Sequence, residues 1–399
     1  MRILIVGTTY YPSLNGQSIF TVNLAEGLVK HGHQVTVLFP DGRTNSKWRN
    51  GVQLEAVGSI DLSFIHTDSF VPVFFGNEVR RIFDSFQPEI VHIQDHYPLS
   101  KLVLDQAKKR GIKVIGTNHF SPDNLTPYIP GASGLKPLYN RVLWNWMIQI
   151  YNRLDMVTAP SRSAVDLILK NGLTVPAFPL SCGADLTRFY PNPSLDRTAC
   201  RLSYGLDPNK TIFLFVGRLD KEKKIDLWLE ALSLIQRDDI QLAIAGNGAA
   251  MEELMALAKE FKLANRVRFI NYVRNEEVNS LLNSADVFVL ASESESLSIA
   301  SLEAMACGLP LLLADAFALP DLVTPEINGY LFKPNNAEDA AHYMALLADH
   351  PERREAMGHA SYEKAQLHDL RNTVLQYISL YEKLLVVPST ILDFNRLSI

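Results

Sequence analysis

Short runs of aliphatic and β-branched residues alternate with longer amphipathic stretches along most of this chain. Continuous apolar runs of four to six residues bounded by turn formers are the pattern of strands buried on both faces. Apolar residues recurring every three to four positions mark helices between them. In the first half the pattern predicts a strand over Arg2–Val6 and a helix over Ser18–Lys30 that stops at His31-Gly32-His33. Strands over Gln34–Phe39, Ile90–Ile93, Lys113–Thr117 and Met156–Thr158 follow, with helices near 99–110 and 138–153. The second half restarts the alternation: strand Thr211–Val216, helix 225–236, strand Gln241–Ala245, helix 250–261 and strand Arg266–Ile270. Helix 275–284, strand Asp286–Leu290, helix 299–306 and strand Leu309–Leu313 complete it.

Strands that alternate with helices imply an α/β protein with doubly wound parallel sheets. Two such series in 399 residues imply two domains, each large enough for its own core. A turn-rich stretch from Cys182-Gly183-Ala184-Asp185 to Tyr190-Pro191-Asn192-Pro193-Ser194 places the linker near 182–198. The expected division is 1–185, 186–370 and a C-terminal segment 371–399. Ligands of such sheets lie beyond the carboxyl ends of the strands, and a cleft between the two domains is the expected place for them.

Composition narrows the class only a little. Hydrophobic residues make up 47% and charged residues 20%, as in ordinary globular proteins. No apolar run approaches the roughly 20 residues that span a bilayer, and the opening MRILIVG reads as a strand rather than a signal peptide. Three scattered cysteines (Cys182, Cys200, Cys307) argue for a reducing, cytoplasmic setting and against a disulfide frame or zinc site. Residues 1–190 hold 18 Lys and Arg against 14 Asp and Glu, whereas the remainder holds 20 against 29. A basic half on an acidic protein points either to an anionic partner such as a phospholipid surface or to chance asymmetry. Leu135–Asp155, with Trp144, Trp146, Tyr139 and Tyr151 among Lys136, Arg141 and Arg153, reads as a helix packing its aromatics inward or, alternatively, as a membrane-surface helix.

The candidate chemistry gathers at strand ends. Glu295 falls in the serine-rich loop after strand Asp286–Leu290, and Glu303 lies in the helix that follows. Two acceptor-only carboxylates suit sugar or ribose hydroxyls, and open N–H groups at a helix start suit a diphosphate. The same spacing also fits two solvated surface glutamates. Gly217-Arg218 and Lys223 follow strand Thr211–Val216 and read as a diphosphate clamp or as a solvated basic loop. Gly16, before the first helix, and Gly246-Asn247-Gly248 offer close backbone approach. His119 follows an apolar strand, and His92, Gln94, Asp95 and His96 end the preceding one, where they read as polar contacts to an acceptor. No D-x-D or H-E-x-x-H occurs, so no metal site is expected; nor do G-x-G-x-x-G, a P-loop or G-x-S-x-G.

Taken in order, these residues resemble the glycosyl transferases group 1 family of retaining GT-B glycosyltransferases. The resemblance spans the Gly16 loop, Thr117-Asn118-His119, Ala159-Pro160-Ser161, Gly183-Ala184-Asp185 with Phe189 and Pro191, and Gly217-Arg218 with Lys223. It continues through Gly246-Asn247-Gly248, Glu295, Glu303, Ala304-Met305-Ala306-Cys307-Gly308-Leu309-Pro310 and Asn328-Gly329-Tyr330-Leu331-Phe332. It implies two Rossmann-like domains facing one another across a cleft, the first binding an acceptor and the second a nucleotide sugar. A C-terminal helix over 371–385 would cross back to the first domain.

Roles follow from the same resemblance. Arg218 and Lys223 would bind the donor diphosphate, Gly16 and Gly217 would lend backbone, and Gly246 would line the donor. Glu303 would hold ribose, Val273 would cradle the base, and Glu295 would hold the sugar with the N–H groups of Leu297, Ser298 and Ile299. His119 would touch the sugar near the reacting centre, so His119, Arg218, Lys223 and Glu295 form the expected catalytic set. Tyr10, Gln17, Asp95 and His96 are the expected acceptor contacts.

Two departures bear on sugar selectivity: Ser296-Leu297-Ser298 stands where the family usually has Gly-Phe-Gly, and Lys224 where it commonly has Gly. Residues 91–98 and 117–124 look like those of glycolipid-forming members. The expected activity is metal-independent sugar transfer with retention, from a nucleoside diphosphate sugar to a lipid or carbohydrate acceptor. Neither a resident cofactor nor a nucleic-acid partner is expected. A non-hydrolysing epimerase and a silent nucleotide-sugar binder are the rival expectations.

Overall fold

The computed structural model describes residues 1–10, 15–41, 45–61, 70–72, 76–122 and 136–386. Tyr11–Leu14 of the first loop, Asp123, Asn124, Leu135 and the tail beyond 386 lie outside them. The chain forms two compact units, Met1–Cys182 with Arg371–Ile399, and Gly183–Leu370. The first division falls three residues before the expected 185, and the second falls at the expected 370.

Unit 1 comprises β1 (Arg2–Val6), α1 (Gly16–Lys30), β2 (Gln34–Asp41), β3 (Asn45–Arg49), β4 (Val52–Asp61), β5 (Phe70–Pro72) and α2 (Gly76–Phe86). It continues with β6 (Ile90–Ile93), α3 (Pro98–Lys109), β7 (Lys113–Thr117), α4 (Lys136–Tyr151), β8 (Met156–Ala159), α5 (Arg162–Lys170) and β9 (Ala177–Pro179). The strands run β3-β4-β2-β1-β6-β7-β8-β9, with β5 also on β4. Pairing is parallel except where β3 and β5 meet β4. The central strands are apolar on both faces because helices cover both, as parallel sheets require. The segment from β3 to α2 carried no expectation. Its edge strands are a mostly polar run in β3 and a run of only three residues in β5, and their pairing with β4 is settled by a neighbour rather than by local pattern.

Unit 2 comprises α6 (Arg197–Ser203), β10 (Thr211–Val216), α7 (Ile225–Leu234), β11 (Ile240–Ala245), α8 (Met251–Glu260), β12 (Val267–Ile270) and α9 (Val278–Ser284). It closes with β13 (Val287–Leu290), α10 (Ile299–Ala306), β14 (Leu311–Ala314), β15 (Gly329–Phe332), α11 (Ala337–Asp349) and α12 (Pro351–Ala365). Its six strands are all parallel, in the order β12-β11-β10-β13-β14-β15. β14 starts two residues later than the expected Leu309, because the Leu309 N–H caps α10 by donating to the Ala304 carbonyl at 3.0 Å.

The last helix, α13 (Leu370–Val386), buries Tyr377 and Tyr381 against the sheet of unit 1. There His92 on β6 bridges Tyr381 Oη through Nδ1 and Thr117 Oγ1 through Nε2, both at 2.7 Å. Tyr377 Oη meets Thr117 and Thr158 at 3.0 and 2.9 Å. A buried polar group holds a helix in one place only while each partner is present. Tyr381→Phe should therefore strand the His92 Nδ1 and cost about 1–3 kcal/mol, read as a lower denaturant midpoint. An unchanged midpoint would remove this network from the account of how α13 is held.

Candidate functional site

In unit 2, β10 and β13 are neighbours whose connections leave in opposite directions, the position at which such sheets open a crevice. The loop after β10 carries Gly217, Arg218 and Lys223, and the loop after β13 carries Glu295 and leads into α10. The two loops meet through two ion pairs, Lys223 Nζ to Glu295 Oε1 at 2.6 Å and Lys224 Nζ to Glu293 Oε1 at 3.6 Å. Glu222 Oε1 lies 3.2 Å from the Lys223 ammonium and 3.5 Å from Arg218, whose other nitrogen pairs with Asp220 at 3.0 Å. Burial alone would lower the Lys223 pKa, but Glu295 and Glu222 outweigh it and push it up to about 12. Both cations of the expected clamp are thus held in place by carboxylates.

α10 begins where the Lys223–Glu295 pair ends. Ser298 caps it, its hydroxyl oxygen accepting from the Ser301 N–H at 3.1 Å. The N–H groups of Leu297, Ser298 and Ile299 donate to no acceptor among the described residues. Serines at 296 and 298 thus preserve the donors that a glycine-rich turn would present. One turn on, the Glu303 carboxylate makes no hydrogen bond or ion pair among the described residues. It lies deep, and desolvation raises its pKa to about 7 while the Arg188 guanidinium pulls the other way. Arg188 went unnoticed in the sequence, although it adjoins Phe189 of the linker motif. Its guanidinium lies 4.7 Å from the Phe189 ring centroid and donates to the Asn275 carbonyl. Val273, half-buried, follows β12 in the same loop as Asn275.

Two glycines have other reasons than a ligand. A Cβ on Gly246 would stand 1.9 Å from the Gly217 carbonyl oxygen, and one on Gly248 2.5 Å from that of Leu219. Backbone bonds from Gly217 to Ala245 and from Leu219 to Asn247, both 3.0 Å, zip the two loops together. Gly246 is therefore needed for the packing of the two loops whether or not its backbone also lines a donor. Lys224 adopts left-handed backbone, φ 51° and ψ 44°, which explains why glycine suits this position.

In unit 1 the equivalent position lies between β1 and β6. Asp95 Oδ2 accepts from the Thr8 N–H at 2.6 Å and from Gln17 Nε2 at 3.2 Å. Its Oδ1 accepts from the Tyr97 N–H at 3.1 Å and from Ser100 Oγ at 2.6 Å. A carboxylate that is 2% exposed and meets four donors binds its own loops together. Tyr10 is likewise buried, its ring 5.4 Å from Phe39, and burial raises its pKa to about 12. His96 is buried against Tyr97, with its pKa lowered to about 4 by desolvation. His92 belongs to the α13 network. Gln17 stays partly exposed, and a Cβ on exposed Gly16 would meet nothing within 4 Å. His119 is half-buried with Phe20 4.9 Å from its ring, and desolvation holds its pKa down to about 3.

Two parallel α/β units, each with its polar side chains at a switch in strand order, place the chain in the GT-B class of glycosyltransferases. Residues 14–188 match the model described as Glycosyltransferase Family 4, and residues 196–364 the model described as Glycosyl transferases group 1. The chain belongs to the glycosyl transferases group 1 family. It is 27% identical over 72% of its length to the sulfoquinovosyl transferase SQD2 of Arabidopsis thaliana, of which it spans only 55%. It is 28% identical to a GDP-mannose-dependent alpha-mannosyltransferase of Mycobacterium tuberculosis, over 83% of each chain. Alpha-monoglucosyldiacylglycerol synthase of Streptococcus pneumoniae is 24% identical, over 87% of this chain and 79% of that one. Among solved structures, sucrose-phosphate synthase of Thermosynechococcus elongatus superposes with a TM-score of 0.80 at 21% identity, covering 96% of this chain and 98% of that one.

The loop geometry sets opposite expectations at two positions. Gly246→Ala should destabilise unit 2 by about 2–4 kcal/mol through the clash with Gly217. Lys224→Gly should stabilise it by about 0.5–1 kcal/mol by relieving the left-handed backbone. Equilibrium unfolding of both variants checks the pair, and two shifts in the same direction would contradict it.

Proposed function

We propose that this chain is a retaining hexosyltransferase that moves a sugar from a nucleoside diphosphate sugar to a lipid acceptor, without a resident metal ion. The observation that carries the reading is the Lys223–Glu295 pair at the β10/β13 switch, set beside the unbonded N–H groups of α10. The donor diphosphate takes the place of carboxylates on Lys223 and Arg218, and the freed Glu295 turns to sugar hydroxyls. Glu303 accepts from the ribose hydroxyls.

Charge that develops on the leaving diphosphate is met by Arg218, Lys223 and the helix N–H groups, which are already in place before reaction. No three His, Cys, Asp or Glu side chains converge to hold a metal among the described residues. The freed Glu295 is engaged by sugar hydroxyls rather than by the anomeric carbon, so the acceptor attacks from the face the diphosphate leaves.

A lipid acceptor is supported by α4, where Leu138, Val142 and Trp146 stand 59%, 57% and 40% exposed at helical spacing beside Arg141. The naming of one relative as a diacylglycerol glucosylating enzyme supports the same choice. No helix among the described residues is long and apolar enough to cross a membrane, so the contact would be peripheral. Three free cysteines support a cytoplasmic setting at the inner membrane face.

Product analysis with several nucleotide sugars against diacylglycerol, phospholipid and soluble acceptors tests the proposal. Transfer to a lipid with the anomeric configuration kept is expected, and no donor consumption with any acceptor would end the transferase reading. Arg218→Ala should lower kcat by about 100-fold or more. Ionised Glu303 is the better acceptor for ribose hydroxyls, and its pKa is raised to about 7. Donor affinity should therefore fall as pH drops from 8 to 6, as the carboxylate takes up its proton. Glu303→Gln should bind weakly with no such pH dependence. Titration calorimetry with the nucleoside diphosphate reads both.

A further inference from the structure

The polar groups at the β1/β6 switch of unit 1 include one that the reaction scheme leaves unused. Gln94 follows β6, and its N–H donates to the Val6 carbonyl at 2.7 Å, so its backbone is an extension of the sheet. Its neighbour Asp95 is fixed by four hydrogen bonds. The Gln94 side chain is 1% exposed and its Oε1 lies 2.8 Å from His119 Nε2. An amide oxygen is an acceptor only, so this contact requires a proton on Nε2. The other ring nitrogen, Nδ1, has no partner among the described residues and is not sealed from solvent. Gln94 Nε2 is also without a partner, although it is buried. A buried amide N–H with nothing to donate to costs stability, unless a ligand oxygen supplies the missing acceptor.

We propose that Gln94 is a positioning residue that fixes His119 as its Nε2–H tautomer, leaving Nδ1 to accept a hydrogen bond from a substrate hydroxyl while the Gln94 amide donates to a substrate oxygen. The claim rests on the transferase reading for the identity of the substrate, but the tautomer itself is a property of the free protein. Gln94 and His119 together offer one donor and one acceptor, the pattern that a sugar hydroxyl matches, since a hydroxyl both donates and accepts. A tautomer held by a third group is how an imidazole presents a chosen nitrogen to a reaction.

The groups around the ring support a neutral imidazole. Phe20 of α1 lies tilted against it with ring centroids 4.9 Å apart, Tyr377 of α13 lies 5.7 Å from Phe20, and the wholly buried His92 of β6 is close enough to feel its charge. Desolvation lowers the pKa of both His119 and His92, so neither is charged at neutral pH. An acid form of His119 would also lose Nδ1 as an acceptor.

The test is ring nitrogen NMR on the full chain labelled at histidine, with the His119 signals identified by their loss in His119→Asn. A protonated Nε2 and a bare Nδ1 are expected between pH 7 and 8. Gln94→Leu should scramble the two signals and lower kcat by roughly 100-fold, with the donor KM changed less than twofold. Gln94→Glu should keep the tautomer but raise the His119 pKa, adding an acid limb to the kcat profile between pH 6 and 7.

A proton on Nδ1 in the wild-type protein, or an unchanged spectrum in Gln94→Leu, would overturn the proposal. Because the spectrum needs no substrate, it decides the tautomer even if the product analysis finds no transfer. Gln94→Leu that unfolds is replaced by Gln94→Glu, which must then show the retained tautomer and the new acid limb.

Discussion

The structure depends on a gap that opens in each sheet where two neighbouring parallel strands send their connections in opposite directions. In unit 2 the gap lies between β10 and β13, and in unit 1 between β1 and β6. Loops that diverge leave polar backbone with nothing to pair with, so something charged must span them. In unit 2 that is Lys223 to Glu295, and in unit 1 it is Asp95 gathering donors from both sides. The physical problem is the same and the solutions differ in one respect. Asp95 is saturated by four donors, whereas Glu295 is held by a single cation, the one the proposed function gives to the donor diphosphate.

That difference assigns the units their chemistry. A carboxylate with four donors gains nothing by leaving them, and it makes the first loop rigid. An ion pair between two half-buried side chains can be exchanged for another, and under the proposed function a diphosphate would bring several charged acceptor oxygens to Lys223 and Arg218 at once. The clamp's resting partners keep the cations charged and aimed while the donor is absent. Glu303 is the complement: a carboxylate with no partner, held near its titration point by burial. One carboxylate waits with a partner and the other waits without.

Some of this was legible along the chain. The strand and helix alternation depends on local periodicity, and Glu295, Glu303, Arg218 and Lys223 stand out as candidates by motif order. The antiparallel edge of unit 1 was missed, since β3 and β5 pair with β4 and neither has a pattern strong enough alone. Gly246 is required by the Gly217 carbonyl of another loop, a constraint that no local pattern shows. Asp95, Tyr10 and His92 sit at the right sheet edge, yet burial turned each toward a partner distant in sequence.

The sequence by itself determined which strands are buried on both faces, where the chain divides and which residue types stand at the strand ends. Those features follow from the side chains' own hydrophobicity and from the few residues that tolerate a turn. Only the tertiary structure decided which of the polar residues at those ends are spent on the fold and which stay open. Asp95 and Glu303 are both carboxylates near a strand's carboxyl end, and nothing local tells them apart. The difference lies in whether other segments bring donors within about 3 Å. Glu295 and Lys223 stand 72 positions apart in the chain, and the sheet's strand order brings them together.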